Sequence, residues 1–333
     1  MQAKCKKIYE TNHSSIYCIE KTRESNKIPI KLAIKVVKNK KSQEIKILKE
    51  LNHVNIIEMH STIHSIGKRW FAMEYYKMNL KEIFPIQSTE YKYYIIKCIA
   101  DGLSYLHSQE IIHRDIKPQN ILIYKENVKI TDFGTAKYIK EDRLSDSRKG
   151  NENNPTTLPT TKEVEIFKNE VKEMIIKQIE YDKYYNIHEK IELNNVNLSK
   201  SGIVGTLHYV PLEVLIGSRD YGCEVDIWAA GCTFWEILYN EVCFNGDCEM
   251  NQIIEIVTKL GVTKKDKEML SKYPFGGFIP IKKEEKSNLF ENIPGCGKNL
   301  FKTLLTLNAS NRKLNNEGIK NIQSKDYSNI DYI

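Results

Sequence analysis

The run His113-Arg114-Asp115-Ile116-Lys117-Pro118-Gln119-Asn120 is followed, twelve residues past Asn120, by Asp132-Phe133-Gly134. Together these stretches hold the parts needed to move a phosphoryl group. Asp115 can accept the proton of an attacking hydroxyl, Lys117 can meet the charge on the group in transit, and Asn120 and Asp132 offer oxygens to magnesium. Many positions are fixed at set offsets, so two unrelated polar loops are a poor explanation of the match.

In these motifs the chain resembles the eukaryotic protein kinases. The resemblance implies an α+β, bilobal kinase fold with a small β-rich N-lobe and a large helical C-lobe. It places a single kinase domain over residues 1–333, the N-lobe at 1–76, the C-lobe at 77–333, and a long, partly disordered insertion at 139–200. The cofactors it implies are ATP and Mg2+.

The residues upstream read consistently. Ile16-Tyr17-Cys18-Ile19 and Lys31-Leu32-Ala33-Ile34-Lys35-Val36-Val37 are rich in β-branched residues and bounded by polar turns, as strands are. Residues 42–51 read as a helix capped by Ser42, with Ile45, Leu48 and Leu51 on one face. A further strand pair is expected near 56–62 and 69–75. From Glu90 the period turns helical, and Tyr94, Cys98, Leu103 and Leu106 predict a long buried helix leading to His113. A helical pattern continues after Pro211.

Alone, Lys35 would read as a solvent-facing strand lysine. With the downstream motifs it matches the kinase lysine that grips the nucleotide phosphates, and Glu44 is its candidate ion-pair partner. Only eight residues lie between the two, fewer than kinases have, so the helix is expected to start late, with Glu44 in its first turn. Phe71-Ala72-Met73-Glu74-Tyr75-Tyr76 resembles the last N-lobe strand and hinge. By that resemblance Met73 is the gatekeeper, the Glu74 carbonyl and Tyr76 amide bond the adenine edge, and Ala33 and Leu122 sandwich the ring. Ile8 and Ile16 join them as nucleotide-binding residues. Leu48, Met59, His113 and Phe133 fit the apolar column that ties kinase lobes together.

One family feature is missing. A glycine-rich turn should precede Ile16, but Tyr9, Thr11 and Ser14 stand where three glycines belong. Glycine permits positive φ and lets backbone amides approach phosphates closely. Without it the chain is either a pseudokinase or a kinase with weakened ATP binding. The charged side chains Lys35, Asp115, Lys117, Asn120 and Asp132 are all present, which favours catalysis.

Lys117 in the catalytic loop resembles serine/threonine kinases. Gly205-Thr206-Leu207-His208-Tyr209-Val210-Pro211-Leu212-Glu213 matches the segment whose glutamate pairs with a distant arginine, and Arg312 fits that partner. Asp226-Ile227-Trp228 matches the helix that anchors the catalytic loop. Phe244-Asn245-Gly246-Asp247 and the helix after it resemble the cyclin-dependent kinase branch. Within that branch the chain departs at four places. The helix at 42–51 lacks the longer cyclin-gripping segment. Asn12 and His13 replace an inhibitory Thr-Tyr pair. Gln43 and Lys137 replace two of the three arginines that gather an activating phosphate, leaving Arg114. Val210 replaces the arginine that shapes a pocket for proline. Together these make the chain similar to the fungal monomeric cyclin-dependent-kinase-activating kinases. That resemblance implies a protein substrate, the activation-loop threonine of a cyclin-dependent kinase, with no cyclin required and a monomeric state. A cyclin-regulated kinase of the same branch and a pseudokinase scaffold without turnover stay open as alternatives.

Composition sets further limits. The 333 residues suffice for two lobes, and an apolar fraction of 41% fits a globular chain. No apolar run reaches membrane-spanning length, and Met1–Lys7 lacks an apolar signal core. The eight cysteines have no metal-ligand spacing and read as reduced thiols, so an intracellular setting, cytoplasm or nucleus, is expected. The net charge of +7 is spread over lysine-rich loops without aromatic clustering, which argues against nucleic acid as partner. In the insertion, Val164, Phe167, Val171, Met174, Ile175 and Ile179 recur at helical spacing. They mark either a helix packed on the C-lobe or a docking element for a protein substrate.

Overall fold

The computed structural model describes residues 3–11, 14–23, 26–38, 42–65, 68–139, 205–279, 289–291, 293 and 295–314. The insertion, with its expected helix at 164–179, lies outside them. The described chain divides into two compact units: residues up to 49 with 58–75, and residues 50–57 with 76–139 and the chain from 205 onward.

The first unit is a five-stranded antiparallel sheet in the order β1-β2-β3-β5-β4. Its strands are β1 (Ala3–Glu10), β2 (Ser14–Arg23), β3 (Asn26–Val37), β4 (Met59–Ser65) and β5 (Lys68–Glu74). The two-residue side-chain period sorts the apolar residues onto two faces. Tyr17, Ile19, Ile34, Val36, Trp70 and Ala72 form one buried cluster, with Cys5 against it. Ala33, Lys35, Phe71 and Met73, each also buried, belong to the opposite face. A single helix, α1 (Glu44–Glu50), follows β3.

Several expectations need correcting. The helix spans 44–50, not 42–51, because Ser42 stays outside it and accepts a hydrogen bond from the Glu44 amide at 3.2 Å. Its buried residues are Glu44, Ile47 and Leu48; Ile45 is only half-buried. The strand expected at 56–62 begins at Met59. Ile56 and Ile57 are buried, yet they pack in the second unit: Ile57 N–H donates to the Ile130 carbonyl at 3.0 Å and Ile130 N–H to the Asn55 carbonyl at 2.8 Å. β1 was not foreseen as a strand, since its alternation of Lys4 and Lys6 with Cys5 is that of a polar edge strand.

The second unit is mainly helical. α2 (Thr89–Ser108) is capped by Ser88, whose hydroxyl accepts from Tyr91 N–H, and buries Cys98, Leu103 and Leu106 as expected. Tyr94 is only half-buried; its hydroxyl donates to the Glu126 carbonyl at 2.6 Å. Next come β7 (Ile111–Ile112), β8 (Ile121–Tyr124), β9 (Asn127–Ile130) and β10 (Lys137–Tyr138). β8 pairs with both β9 and β6 (Met78–Asn79), while β10 pairs with β7. After 205 follow α3 (Leu212–Leu215), α4 (Glu224–Tyr239), α5 (Glu249–Leu260), α6 (Lys264–Leu270) and α7 (Gly295–Leu304). α4 is buried on all sides and is the core of the unit, with Trp228 stacked on Phe244 and Trp235 edge-on to Phe301. No described helix is long and apolar enough to cross a membrane. Cys5, Cys18, Cys98, Cys223, Cys232, Cys243 and Cys248 are free thiols.

Candidate active site

Each unit carries part of the expected site. In the first, Lys35 is 3% exposed and its Nζ donates to Glu44 Oε1 at 2.6 Å. Glu44 is equally enclosed, and the Ser42 carbonyl beside it accepts from Arg69 at 2.9 Å. Burial of both charges costs nearly what their attraction returns, so the pair adds little net stability. It fixes an ammonium group in one position.

Antiparallel partners project from the same side of a sheet. The register pairs Ile16 with Lys35, Ala33 with Met73, and Lys35 with Phe71. Ile16, Ala33, Lys35 and Met73 therefore share one face. Cys18, paired with Ala33, joins them; no motif had marked it, and burial pushes its thiol above the ordinary range. Ile8 falls at an irregularity in the β1–β2 register and is 44% exposed. Glu74 ends β5, and its N–H donates to the Glu58 carbonyl at 3.4 Å. Tyr76 and Leu122, both half-buried, belong to the second unit.

In the second unit three side chains converge on Asp115. Its Oδ2 accepts from Lys117 Nζ at 2.7 Å and from Asn120 Nδ2 at 2.9 Å, and its Oδ1 accepts from the Thr206 hydroxyl at 3.0 Å. Lys117 Nζ also donates to Thr206 Oγ1 at 2.6 Å. The three donors fix the carboxylate in one orientation, poised to accept a proton from a fourth group. Asn120 Nδ2 bonds the Asp115 carbonyl as well, at 2.8 Å, which leaves Oδ1 as the atom a cation would take. Thr131 N–H donates to the Asn120 carbonyl at 3.0 Å and so couples the loop to Asp132. Asp132 has a left-handed backbone (φ 64°), and one carboxylate oxygen accepts from Gly134 N–H at 3.4 Å. An amide oxygen and a carboxylate are hard donors of the kind magnesium takes alongside substrate phosphates, so the residues fit that ion.

The loop itself is held by a buried carboxylate. Asp226, fully enclosed in α4, accepts from His113 N–H at 2.8 Å, from Arg114 N–H at 2.7 Å and bonds His107 Nε2 at 3.0 Å. Those bonds sustain the positive φ of Arg114 (68°), a costly conformation for a residue that carries a Cβ. Burial pushes the Asp226 carboxyl up, but the His107 bond and the surrounding amides outweigh it and hold it below the usual range. Burial opposes charge on His107, yet the bonds to Asp226 and Cys223 lift its pKa to about 9. Arg114 Nε donates to the Thr135 carbonyl at 2.6 Å, and Thr135 Oγ1 to the His113 carbonyl at 3.0 Å. Phe133 is buried edge-on to His113, with ring centres 4.9 Å apart.

Two more expectations concern the chain after 205. Glu213 and Arg312 form a fully buried two-pronged pair at 2.6 and 2.8 Å, with Arg312 also lying over the Trp228 ring. A recess beside Asp115 is lined by Thr206, Tyr209, Val210, Pro211 and Val214. Thr206 and His107 were not singled out from the sequence. Thr206 lies in a segment that was read for Glu213 and Val210, and nothing in the spacing of His107 pointed to Asp226.

A family model described as "Protein kinase domain" matches residues 2–155 and 188–327. The chain belongs to the protein kinase family. It is 27% identical over 284 residues to cyclin-dependent kinase 15 of Danio rerio, which covers 81% of this chain and 55% of that protein. The kinase chain thus spans about half the length of this curated relative. Among solved structures it resembles the yeast RNA Pol II CTD kinase CTDK-1 complex, with a TM-score of 0.63 and 23% identity, covering 92% of this chain and 88% of that one. That likeness is one of fold.

Proposed function

We propose that this kinase transfers the γ-phosphate of ATP to serine or threonine hydroxyls of a protein. The observation that carries the reading is the Asp115 cluster: one carboxylate held by Lys117, Asn120 and Thr206. Asp115 orients the acceptor hydroxyl and takes its proton. Lys117 faces the charge that develops as the phosphoryl group moves. Lys35, fixed by Glu44, holds the nucleotide phosphates, while Ile8, Ile16, Ala33, Met73, Glu74, Tyr76 and Leu122 receive the base. Asn120 and Asp132 hold magnesium, whose role is to neutralise charge on the phosphates. Positioning and fixed charge supply most of the rate.

The preferred substrate in this reading is the activation-loop threonine of a cyclin-dependent kinase, phosphorylated by a monomer without a cyclin. Three features support it. α1 has seven residues, short for a cyclin-gripping helix. Arg114 already bonds the Thr135 carbonyl and Lys137 lies over the Tyr221 ring at 5.1 Å, so both cations have uses other than gathering a phosphate. Val210 gives the recess beside Asp115 an aliphatic wall. The name of the Danio rerio relative favours the second reading, a cyclin-dependent enzyme.

The test is to incubate the purified monomer with unphosphorylated cyclin-dependent kinases, Mg2+ and ATP, with and without a cyclin, and to map the modified residue. Activation-loop modification without cyclin supports the first reading, and activity only with cyclin supports the second. No transfer to any protein, by wild type and by Asp115→Asn alike, would leave a scaffold.

A further inference from the structure

One face of the five-stranded sheet is apolar and enclosed. Tyr17 and Ile19 of β2, Ile34 and Val36 of β3, and Trp70 and Ala72 of β5 form one cluster, with Cys5 of β1 against it. The register makes them neighbours: Ile34 pairs with Tyr17 and Ala72, Val36 with Trp70, and Ile19 with Cys5. Ile34 is 0% exposed, and Ile19 and Trp70 are each 1% exposed. Side chains on one sheet face touch sideways, but their tips point away from the strands, so such closure needs a second layer. Every described member of the cluster is a strand residue. The described helix of this unit, α1, serves the other face, where Glu44 holds Lys35 and the Ser42 carbonyl accepts from Arg69. That points to a cover drawn from this same chain, outside the described residues.

We propose that residues 164–179 are that cover, laid as an amphipathic helix on the Trp70 face of the sheet. They lie outside the described residues, and their sequence supplies the fit. Val164, Phe167, Val171, Met174, Ile175 and Ile179 make one apolar stripe, while Glu165, Asn169, Glu173 and Lys177 fall on the opposite side. As a helix the stretch is about 24 Å long. The cluster draws on four adjacent strands, and at the usual strand spacing these are about 19 Å wide. Tethers of 24 and 25 residues, 140–163 and 180–204, join the stretch to the described chain. Either can extend about 80 Å, so reach sets no obstacle. Other long stretches outside the described residues suit the face poorly. Residues 280–288 carry five charges in nine positions, and 315–333 are interrupted by Gly318 and rich in Asn and Ser. On this placement the stripe is occupied within its own chain, neither packed on the C-lobe nor held out to a substrate. Uncovered, the face would present two aromatic and four aliphatic side chains to water, an aggregation hazard. The inference stands independently of catalysis.

The experiment puts the photoreactive p-benzoylphenylalanine in place of Val171 in the full-length chain, or in place of Glu173 on the opposite side as a control. After irradiation, cross-linked peptides are mapped by mass spectrometry. Position 171 is expected to link to β2, β3 or β5, and position 173 is not. Links from 171 to helices α3–α7, a chain-to-chain product, or no link at all would each overturn the proposal. A second measurement uses Val171→Asp with Ile175→Asp. Tryptophan emission should move to longer wavelength and an apolar dye should bind, because Trp70 loses its cover. The move should vanish in a Trp70→Phe background, where only Trp228 and Trp235 report. Unmoved emission, or a shift that persists without Trp70, would count against the helix as the cover.

Discussion

Thr206 does two things at once: it donates to the carboxylate of Asp115 and accepts from the ammonium of Lys117. Thr206→Val keeps the shape and removes both bonds. We expect turnover to fall about tenfold, as for a lost positioning contact, with the KM for ATP unchanged and the thermal midpoint nearly so. Asp115→Asn should cost more, about a thousandfold in kcat, within the range for a general base. Initial-rate kinetics on a peptide substrate checks both. His107 gives a pH dependence. Its folded-state pKa of about 9 lies above the ordinary 6.5, so its charge stabilises fully below about pH 6.5, and that stabilisation fades as pH rises through about 9. The swing is at most about 3 kcal/mol. Urea melts at about pH 6 and about pH 9.5 should show it in wild type and lose it in His107→Gln.

At the scale of elements, α2 crosses β9 at Gly102. A Cβ there would stand 2.9 Å from Ile130 Cδ1 and 3.2 Å from the Asn55 carbonyl oxygen. The methyl end could turn aside, but the carbonyl is held by Ile130 N–H. Alanine would gain about 1 kcal/mol in helix propensity and lose about 2 kcal/mol to overpacking. Gly102→Ala should therefore destabilise by about 1 kcal/mol, measured by thermal or urea unfolding. This junction also marks where the sequence was hard to read. The strands carrying Lys35 and Met73, the long α2 and the loop around Asp115 were all legible, because periodicity and fixed offsets are local. Ile56 and Ile57 looked like strand residues because they are apolar and β-branched. Their partner, Ile130, is more than seventy positions away, and no local pattern announces it. Thr206 was hidden in the same way, its role appearing only when folding brings it to Asp115.

At the scale of the molecule, the pairing of Glu213 with Arg312 joins positions 99 residues apart, in a setting where neither side chain is more than 3% exposed. Here the sequence was informative over a long range, because a buried charge demands an opposite partner and the motifs named both. Arg312→Met would leave the Glu213 carboxylate enclosed without its counterion, at a cost of about 3–5 kcal/mol. The double replacement Glu213→Leu with Arg312→Met should recover much of that loss, as equilibrium denaturation would reveal.

The path of the backbone carries one more implication. Residues 50–57 lodge with the second unit, then 58–75 return to the first before the chain crosses to the second again at 76. The polypeptide is stitched rather than strung, and no single scission separates the halves cleanly. A fragment ending at 76 would strip Ile56 and Ile57 of their cover, and one beginning at 77 would leave the Ile130 amide without its acceptor. Produced apart, each piece should precipitate; produced together, they should find one another and reassemble.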